Sequence, residues 1–210
     1  MLVAELHDLG LNDAELDAHG YVYATLAATT DRDVPVICWC AHMDTSPEAP
    51  GAGVQPIVHR EYDGGVIRLP HEGIVLDPAE HPDLRDQVGS AIVTADGRTL
   101  LGADNKAGIA EIMAAVEWLV AHPEVEHGTI KIQFTPDEEV GRGTAHIDLA
   151  RLGAEFAYTV DGERRGTLED ETFSADGAVQ APGDGRARRA SRAPGESRDH
   201  LTRSDGPRRS

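Results

Sequence analysis

The stretch TLLGADNKAGIAEIM, residues 99–113, contains a junction between an apolar segment and a predicted helix, and the predicted fold class depends on this junction. Residues 100–101 end an apolar segment, and residues 102–106 form a polar, tightly turned junction. From residue 107 to residue 119 the apolar positions recur at helical spacing, which predicts an amphipathic helix. The junction therefore presents Asp104 where we expect an apolar strand to turn into a helix, and chemistry tends to lie on such loops.

Predicted strands and helices alternate along the rest of the chain, and this alternation predicts an α/β domain with a mixed, largely parallel sheet flanked by helices. We predict strands at 21–26, 34–41, 64–69, 91–94, 129–135, 156–160 and 167–173, helices at 1–9, 78–88, 107–119 and 146–152, and a long ordered loop at 48–61.

Composition narrows the classes of function. Lys and Arg number 19 against 37 Asp and Glu, a net charge of -18 that argues against nucleic-acid binding. The acidity suits cation binding or a generally acidic surface, and both readings stay open. No 18-residue apolar run and no leader segment occur, so we expect neither a membrane span nor a signal peptide. Cys38 and Cys40 share one face of a predicted strand, and we expect reduced thiols in a cytoplasmic protein.

The composition changes at about residue 179. Residues 180–210 hold 8 Arg against 4 acidic residues, no aromatic residue, and Leu201 as the only large aliphatic residue. We therefore predict a folded part at 1–179 and a disordered basic tail at 180–210. The tail reads as a nucleic-acid arm, as a plain linker, or as translation in a shifted frame of GC-rich DNA, and we favour the last.

Acidic residues and one histidine follow the predicted apolar segments in four places. They are His42 with Asp44, Asp104, Glu138 with Glu139, and Asp161. Imidazole and carboxylate ligands suit zinc, manganese or cobalt, and the carboxyl ends of parallel strands meet at one edge of a sheet. Each residue also has a local reading as a turn residue, a helix cap or a partner of a helix dipole. We favour a shared site because the four places repeat one pattern.

These residues lie in motifs that resemble the co-catalytic di-zinc exopeptidase family, which includes aminoacylase and carboxypeptidase-G-like enzymes. The general elements are HMD (42–44), Asp104 with KAG (106–108), EE (138–139) and Asp161. Longer motifs resemble the tripeptide aminopeptidases of that family: HMDTSP (42–47), YDGG (62–65), DGRTLLGADNKAGIAEIM (96–113), FTPDEEVGRG (134–143) and YTVDG (158–162). The match runs from about residue 1 to about residue 178.

The resemblance implies two zinc ions, with cobalt or manganese as substitutes, and the phosphorylase/hydrolase-like fold of the zinc exopeptidases. It implies that His42 and Asp161 bind the first ion, that Asp104 bridges both, and that Glu139 binds the second.

The implied catalytic residues are Asp44, which orients His42, and Glu138, which acts as the general base. The implied enzyme is a metalloexopeptidase that releases the N-terminal residue of a tripeptide through a metal-activated water. Its partner is a small peptide, with no nucleic acid and no membrane. Full-length members can form homodimers, and we do not expect a homodimer of this fragment.

Three departures from the family lead us to expect a fragment with little activity alone. Asn105 stands where the tripeptide aminopeptidases usually carry Asp, the sequence begins within an early helix, and the remaining catalytic residues are expected beyond residue 179. A related zinc deacylase or dipeptidase, and a silent metal-binding fragment, are the alternative functions.

Overall fold

A computed structural model describes residues 1–162 of the chain. The predicted strand at 167–173, the boundary at residue 179 and the predicted tail at 180–210 lie outside the described residues. The strands are β1 (Glu15–Leu16), β2 (Val22–Leu26), β3 (Ile37–His42), β4 (Ile57–His59), β5 (Ile67–Arg68), β6 (Val75–Leu76), β7 (Ile92–Thr94), β8 (Ile130–Thr135) and β9 (Phe156–Thr159). The α-helices are α1 (Leu2–Asp8), α2 (Ala103–Ala121) and α3 (Leu149–Leu152), and 3-10 turns span Pro82–Gln87 and Glu138–Val140.

Five strands form the main sheet in the order β1-β2-β8-β3-β9. The neighbours β8, β3 and β9 run parallel, whereas β1 and β2 join the same sheet in antiparallel pairs. The predicted α/β class with a mixed sheet and flanking helices is therefore confirmed. Because β3, β8 and β9 are adjacent and parallel, their carboxyl ends lie at one edge of the sheet.

Helices cover both faces of this sheet. On one face, Ile112 and Val116 of α2 are buried with Leu6 of α1 against inward side chains of the sheet. On the other face, Leu152 of α3 packs with a smaller buried group that includes Cys38. The apolar spacing predicted for the helix after residue 107 is confirmed, since it supplies the buried side of α2.

The two cysteines follow the predicted alternation. Cys38 is buried and Cys40 is partly buried, both are free thiols, and Trp39 packs on the opposite face. Burial is the main cause that raises the pKa of the Cys40 thiol to about 11. The free thiols are consistent with the expected reduced state, and Cys38 is buried more completely than Cys40.

The approach to Asp104 differs from the prediction. Residues 100–101 do not form a strand, and β7 pairs with β4 in a separate two-stranded sheet. Residues 95–102 then carry the chain from that small sheet to α2, so Asp104 reaches the site from a helix start. The prediction of a strand end at Asp104 is wrong, because two apolar leucines carry too little pattern to distinguish a strand from a crossing segment.

Other boundaries shift by a few residues. The predicted loop at 48–61 contains the short strand β4, and the strand predicted from residue 34 begins at Ile37. The predicted helix at 78–88 is the 3-10 turn Pro82–Gln87. Within the described part of the chain, no helix has the length and apolarity needed to cross a membrane.

Asp96 holds the turn that leads into the central stretch. Its side chain is buried, its Oδ1 accepts the backbone N–H of Arg98 at 3.0 Å, and its Oδ2 accepts the Nε–H of Arg98 at 2.9 Å. These hydrogen bonds from Arg98 are the main reason that the pKa of the Asp96 carboxyl is lowered. The carboxylate therefore stabilises the fold above the pKa it has when unfolded, and this stability is lost as pH falls through the lower folded-state pKa.

We expect Asp96→Asn to lower the urea midpoint of unfolding at pH 7 and to leave it nearly unchanged at the lowest pH at which the chain stays folded. Urea titrations between pH 7 and pH 3 measure the difference, and Asp33→Asn, at an exposed position, serves as the control. An equal loss at every pH would show that the charge of Asp96 does not contribute.

Candidate metal centre

His42 is the last residue of β3, and its side chain is only 2% exposed. Its Nδ1 lies 3.0 Å from the backbone carbonyl oxygen of Asp44, and its Nε2 lies 2.7 Å from Oδ1 of Asp104. A carbonyl oxygen can only accept, so Nδ1 carries the proton and donates it. In the neutral ring Nε2 then has only a lone pair to offer, and it faces a carboxylate. Two acceptors this close require a proton or a cation between them.

Asp161 completes a group of three donors. Val160 donates its N–H to the carbonyl oxygen of Cys40 at 2.8 Å, which continues the β3–β9 pairing and brings Asp161 beside His42. Oδ2 of Asp161 lies 3.6 Å from Nε2 of His42, and the donor atoms of His42, Asp104 and Asp161 all lie within 4.8 Å of one another. Ligands of a tetrahedral zinc lie about 3.4 Å apart, since each bond is about 2.1 Å. One imidazole and two carboxylates are a donor set that such an ion takes, and the separations of 2.7 Å and 3.6 Å lie on either side of that value.

The electrostatics of this group also favour a cation. Burial lowers the pKa of His42, but the hydrogen bond with Asp104 and the charges of Asp161 and Glu138 outweigh it, so the pKa is raised. Burial raises the pKa of the Asp161 carboxyl, and the charge of Asp104 raises it further. Negative charge is therefore crowded around one buried imidazole, and a divalent cation bound there would relieve the repulsion.

The two adjacent glutamates lie in the 3-10 turn that follows β8. Oε2 of Glu138 is 3.7 Å from Nε2 of His42. The carboxylate of Glu139 is outside the group of three donors, although its charge contributes to the raised pKa of Asp161. Glu138 is thus the glutamate that the structure brings next to the imidazole.

Asp44 connects the histidine to this turn. Its Oδ1 accepts the backbone N–H of Glu138 at 3.1 Å, and its Oδ2 accepts the backbone N–H of Glu139 at 3.0 Å. The same carboxylate lies 3.4 Å from Nδ1 of His42, farther than the backbone carbonyl that contacts this nitrogen. The side chain of Asp44 therefore fixes the glutamate turn, and its backbone orients the imidazole.

We expect Asp44→Asn to lower the free energy of unfolding by about 1 kcal/mol, because an amide has one acceptor atom and loses one of these two hydrogen bonds at a turn that is partly exposed to solvent. Urea unfolding measures the change, and Asp31→Asn, at an exposed position, is the control. Equal stabilities of Asp44→Asn and the parent would mean that the two hydrogen bonds do not hold the turn.

The structure brings the six predicted site residues to one edge of the sheet, and their individual roles stay predictions. Three of the four predicted metal ligands, His42, Asp104 and Asp161, meet in one group. The fourth, Glu139, lies outside that group. The sequence analysis gave no structural role to Asn105 and Gly108, which are both buried next to the site. The available signal was a polar residue and a glycine on the side of a helix that packs against the sheet.

Comparisons with known proteins find relatives of one kind. Residues 90–178 match the model of Peptidase family M20/M25/M40. The chain is 54% identical over 176 residues to "Peptidase T" of Geobacillus kaustophilus, which covers 83% of this chain and 43% of that relative. The chain thus spans less than half the length of the curated relatives it matches.

Solved structures agree with this match. An aminopeptidase PepT from Bacillus cereus superposes with a TM-score of 0.57 at 28% identity, over 78% of this chain and 37% of that one. A tripeptidase from Staphylococcus aureus superposes with a TM-score of 0.55 at 25% identity, over the same shares of the two chains. The resemblance drawn from the motifs, to the tripeptide aminopeptidases among these exopeptidases, is confirmed.

Proposed function

This chain resembles Peptidase T and carries a region of peptidase family M20/M25/M40 at residues 90–178, and from that premise we propose that it supplies the metal centre of an aminopeptidase that cleaves tripeptides. The observation that carries the proposal is the convergence of His42, Asp104 and Asp161 at the edge of the sheet. The proposed substrate is a tripeptide with a free α-amino group, cut after its first residue.

His42, Asp104 and Asp161 are the residues proposed to hold a first divalent cation, zinc by preference and cobalt or manganese as substitutes. Glu139 together with Asp104 is proposed to hold a second cation, a role supported by the family resemblance. Such cations supply the positive charge that polarises a peptide carbonyl and lowers the pKa of water. The fit rests on the donor set, one imidazole with carboxylates, and on the two facing acceptors at His42 and Asp104.

Glu138 is proposed as the general base. Its carboxylate is half-exposed and 3.7 Å from the imidazole, so it can reach both the site and an approaching peptide. Its Oε2 would take a proton from the attacking water and return it to the amine that leaves. Asp44 would hold Glu138 in place for this transfer through the backbone N–H of the turn.

The chain spans 43% of the length of the Geobacillus relative, so the proposed activity belongs to a fold that includes the remaining part. A homodimer is proposed for such a full-length enzyme, on the family resemblance alone. A cytoplasmic location is part of the same proposal, because the free thiols of Cys38 and Cys40 suit a reducing compartment.

A chimera tests the proposal. Residues 1–178 replace the matching segment of the Geobacillus enzyme, and the product is assayed on Ala-Ala-Ala after loading with zinc or cobalt. We expect release of the N-terminal alanine, no release from N-acetylated Ala-Ala-Ala, and little activity in the 210-residue chain by itself. A chimera that folds by circular dichroism but stays inactive, beside an active Geobacillus enzyme, would contradict the proposal.

A further inference from the structure

The first regular turn of α2 packs directly against the backbone that follows β9. The two residues in contact are Gly108 and Val160. Gly108 is buried, and a Cβ atom built on it would lie far inside van der Waals contact of the carbonyl oxygen of Val160 and of Oδ1 of Asn105. Neither neighbour is the free end of a flexible side chain, since one is backbone and the other is buried. The absence of a side chain at Gly108 is what allows the helix to approach the strand end this closely.

Asn105 holds the same turn from inside. It is 3% exposed, and its backbone is not helical, with φ -119° and ψ 38°. Its Oδ1 accepts the backbone N–H of Gly108 at 3.1 Å and so caps the regular part of α2. Its Nδ2 is buried and has no hydrogen-bond partner among the described residues. A polar side chain is costly to bury, so the burial of Asn105 calls for an explanation, and its hydrogen bond to Gly108 supplies one.

The contact between Gly108 and Val160 lies between the two chain segments that carry the carboxylates of the metal group. Asn105 follows Asp104 in the chain, and Val160 precedes Asp161. Val160 is also fixed from its other side, because its N–H donates to the carbonyl oxygen of Cys40 at 2.8 Å. The strand end is therefore held between β3 and α2, and its position relative to the helix start determines how far Asp161 lies from Asp104.

We infer that Asn105 and Gly108 are positioning residues that set the separation of the Asp104 and Asp161 carboxylates, and through it the affinity of the site for a divalent cation. The link to affinity rests on the metal centre proposed above. The link to the carboxylate separation rests on the contacts of the protein alone.

Gly108→Ala is the main variant. The added methyl group must displace the end of β9 or the start of α2, and either movement changes the carboxylate separation. Gly128→Ala is the matched control, because Gly128 precedes the other end of β8. A Cβ there would press on a methyl group of Val34 and would lie at ordinary contact distance, 3.5 Å, from the carbonyl oxygen of Pro35. Both substitutions also lower the entropy of the unfolded chain in the same direction.

Two measurements are made on the 210-residue chain. Crystal structures of the parent and both variants give the distance between the Asp104 and Asp161 carboxylates without any metal. Titration with Co²⁺, followed by its visible absorption, gives affinity and coordination geometry. For Gly108→Ala we expect a separation changed by about 1 Å or more, a shifted Co²⁺ spectrum and an affinity about 10- to 100-fold lower. Gly128→Ala should match the parent in all three.

A second pair of variants covers the case in which Gly108→Ala does not fold. Asn105→Ala removes the acceptor for the Gly108 N–H, whereas Asn105→Asp keeps an oxygen at the same place. We expect Asn105→Ala to change the carboxylate separation and Asn105→Asp to restore the parent distance. A merely structural role for Asn105 would lower stability in Asn105→Ala without moving the carboxylates.

The outcomes separate the two claims. If the parent does not bind Co²⁺, the proposed metal centre fails, and the crystallographic separation still decides the positioning role. If Gly108→Ala and Asn105→Ala both keep the parent separation, the inference is overturned whatever the metal affinity. If the separation changes and the affinity does not, the two residues position the carboxylates without controlling the cation, and the link to affinity is wrong.

Discussion

Replacing Glu138 by Gln in the chimera is expected to lower kcat by about 10²- to 10⁴-fold, the range that a positioned general base contributes. Gln has nearly the same shape, and the backbone N–H at position 138 still donates to Asp44, so the turn should stay in place. What the amide cannot do is accept a proton from water. The expected result is a loss in kcat with a far smaller change in KM and with metal content unchanged.

Steady-state rates on Ala-Ala-Ala, with metal content measured on the same samples, check this expectation. Glu111→Gln is the matched control, because Glu111 is exposed on α2 and the substitution is the same. Full activity of Glu138→Gln would remove Glu138 from the role of base. Loss of metal together with activity would instead make Glu138 a ligand and would leave Glu139 to be tested as the base.

Replacing His42 by Ala is expected to weaken binding of Zn²⁺ to the 210-residue chain by at least about 100-fold. His42 is the only imidazole in the donor group, and both of its nitrogens are engaged, one with a carbonyl oxygen and one with Asp104. Losing a residue that only hydrogen-bonds to a metal ligand already costs about 10- to 100-fold in affinity, and losing a ligand should cost more.

Isothermal titration with Zn²⁺ and the free energy of unfolding in urea are measured together for this variant. His81→Ala, at an exposed position just before the 3-10 turn Pro82–Gln87, is the control and should bind zinc like the parent. Parent-like affinity in a folded His42→Ala chain would mean that the zinc lies elsewhere.

Two of the strands that build the site, β3 and β8, could be predicted from sequence because they are largely buried, whereas β9 is exposed. The runs that end near His42 and Thr135 form neighbouring parallel strands, and buried strands of this kind carry long hydrophobic patterns. The run that ends near Val160 is a short exposed strand, and its aromatic and apolar residues were the signal. Parallel neighbours end at the same edge, so the meeting of His42 with Asp161 followed from topology. The amphipathic helix after residue 107 was equally readable, because five apolar positions share its inner side.

The route of the chain to Asp104 could not be predicted in the same way. Strands of two or three residues, such as β4 and β7, are defined by their pairing and have almost no periodicity of their own. The crossing at 95–102 is held by Asp96 and Arg98, whose hydrogen bonds are visible only in three dimensions.

The contacts that support the metal group could not be predicted from the sequence pattern either. Nothing in the sequence alone shows that the Asp44 carboxylate accepts two N–H groups from a turn 94 and 95 residues away. The burial of Asn105 and the closeness of Gly108 to Val160 likewise depend on how a helix packs on a strand from another part of the chain. Long-range backbone contacts of this kind follow from the packed fold.

Anomalous diffraction from crystals of the 210-residue chain loaded with zinc tests the proposed metal centre, because it locates the ion without any assay of activity. We predict an anomalous peak at the zinc edge about 2.0 to 2.2 Å from Nε2 of His42 and from carboxylate oxygens of Asp104 and Asp161. Zinc peaks found only elsewhere, for example at the exposed stacked pair His19 and His146, would contradict the account.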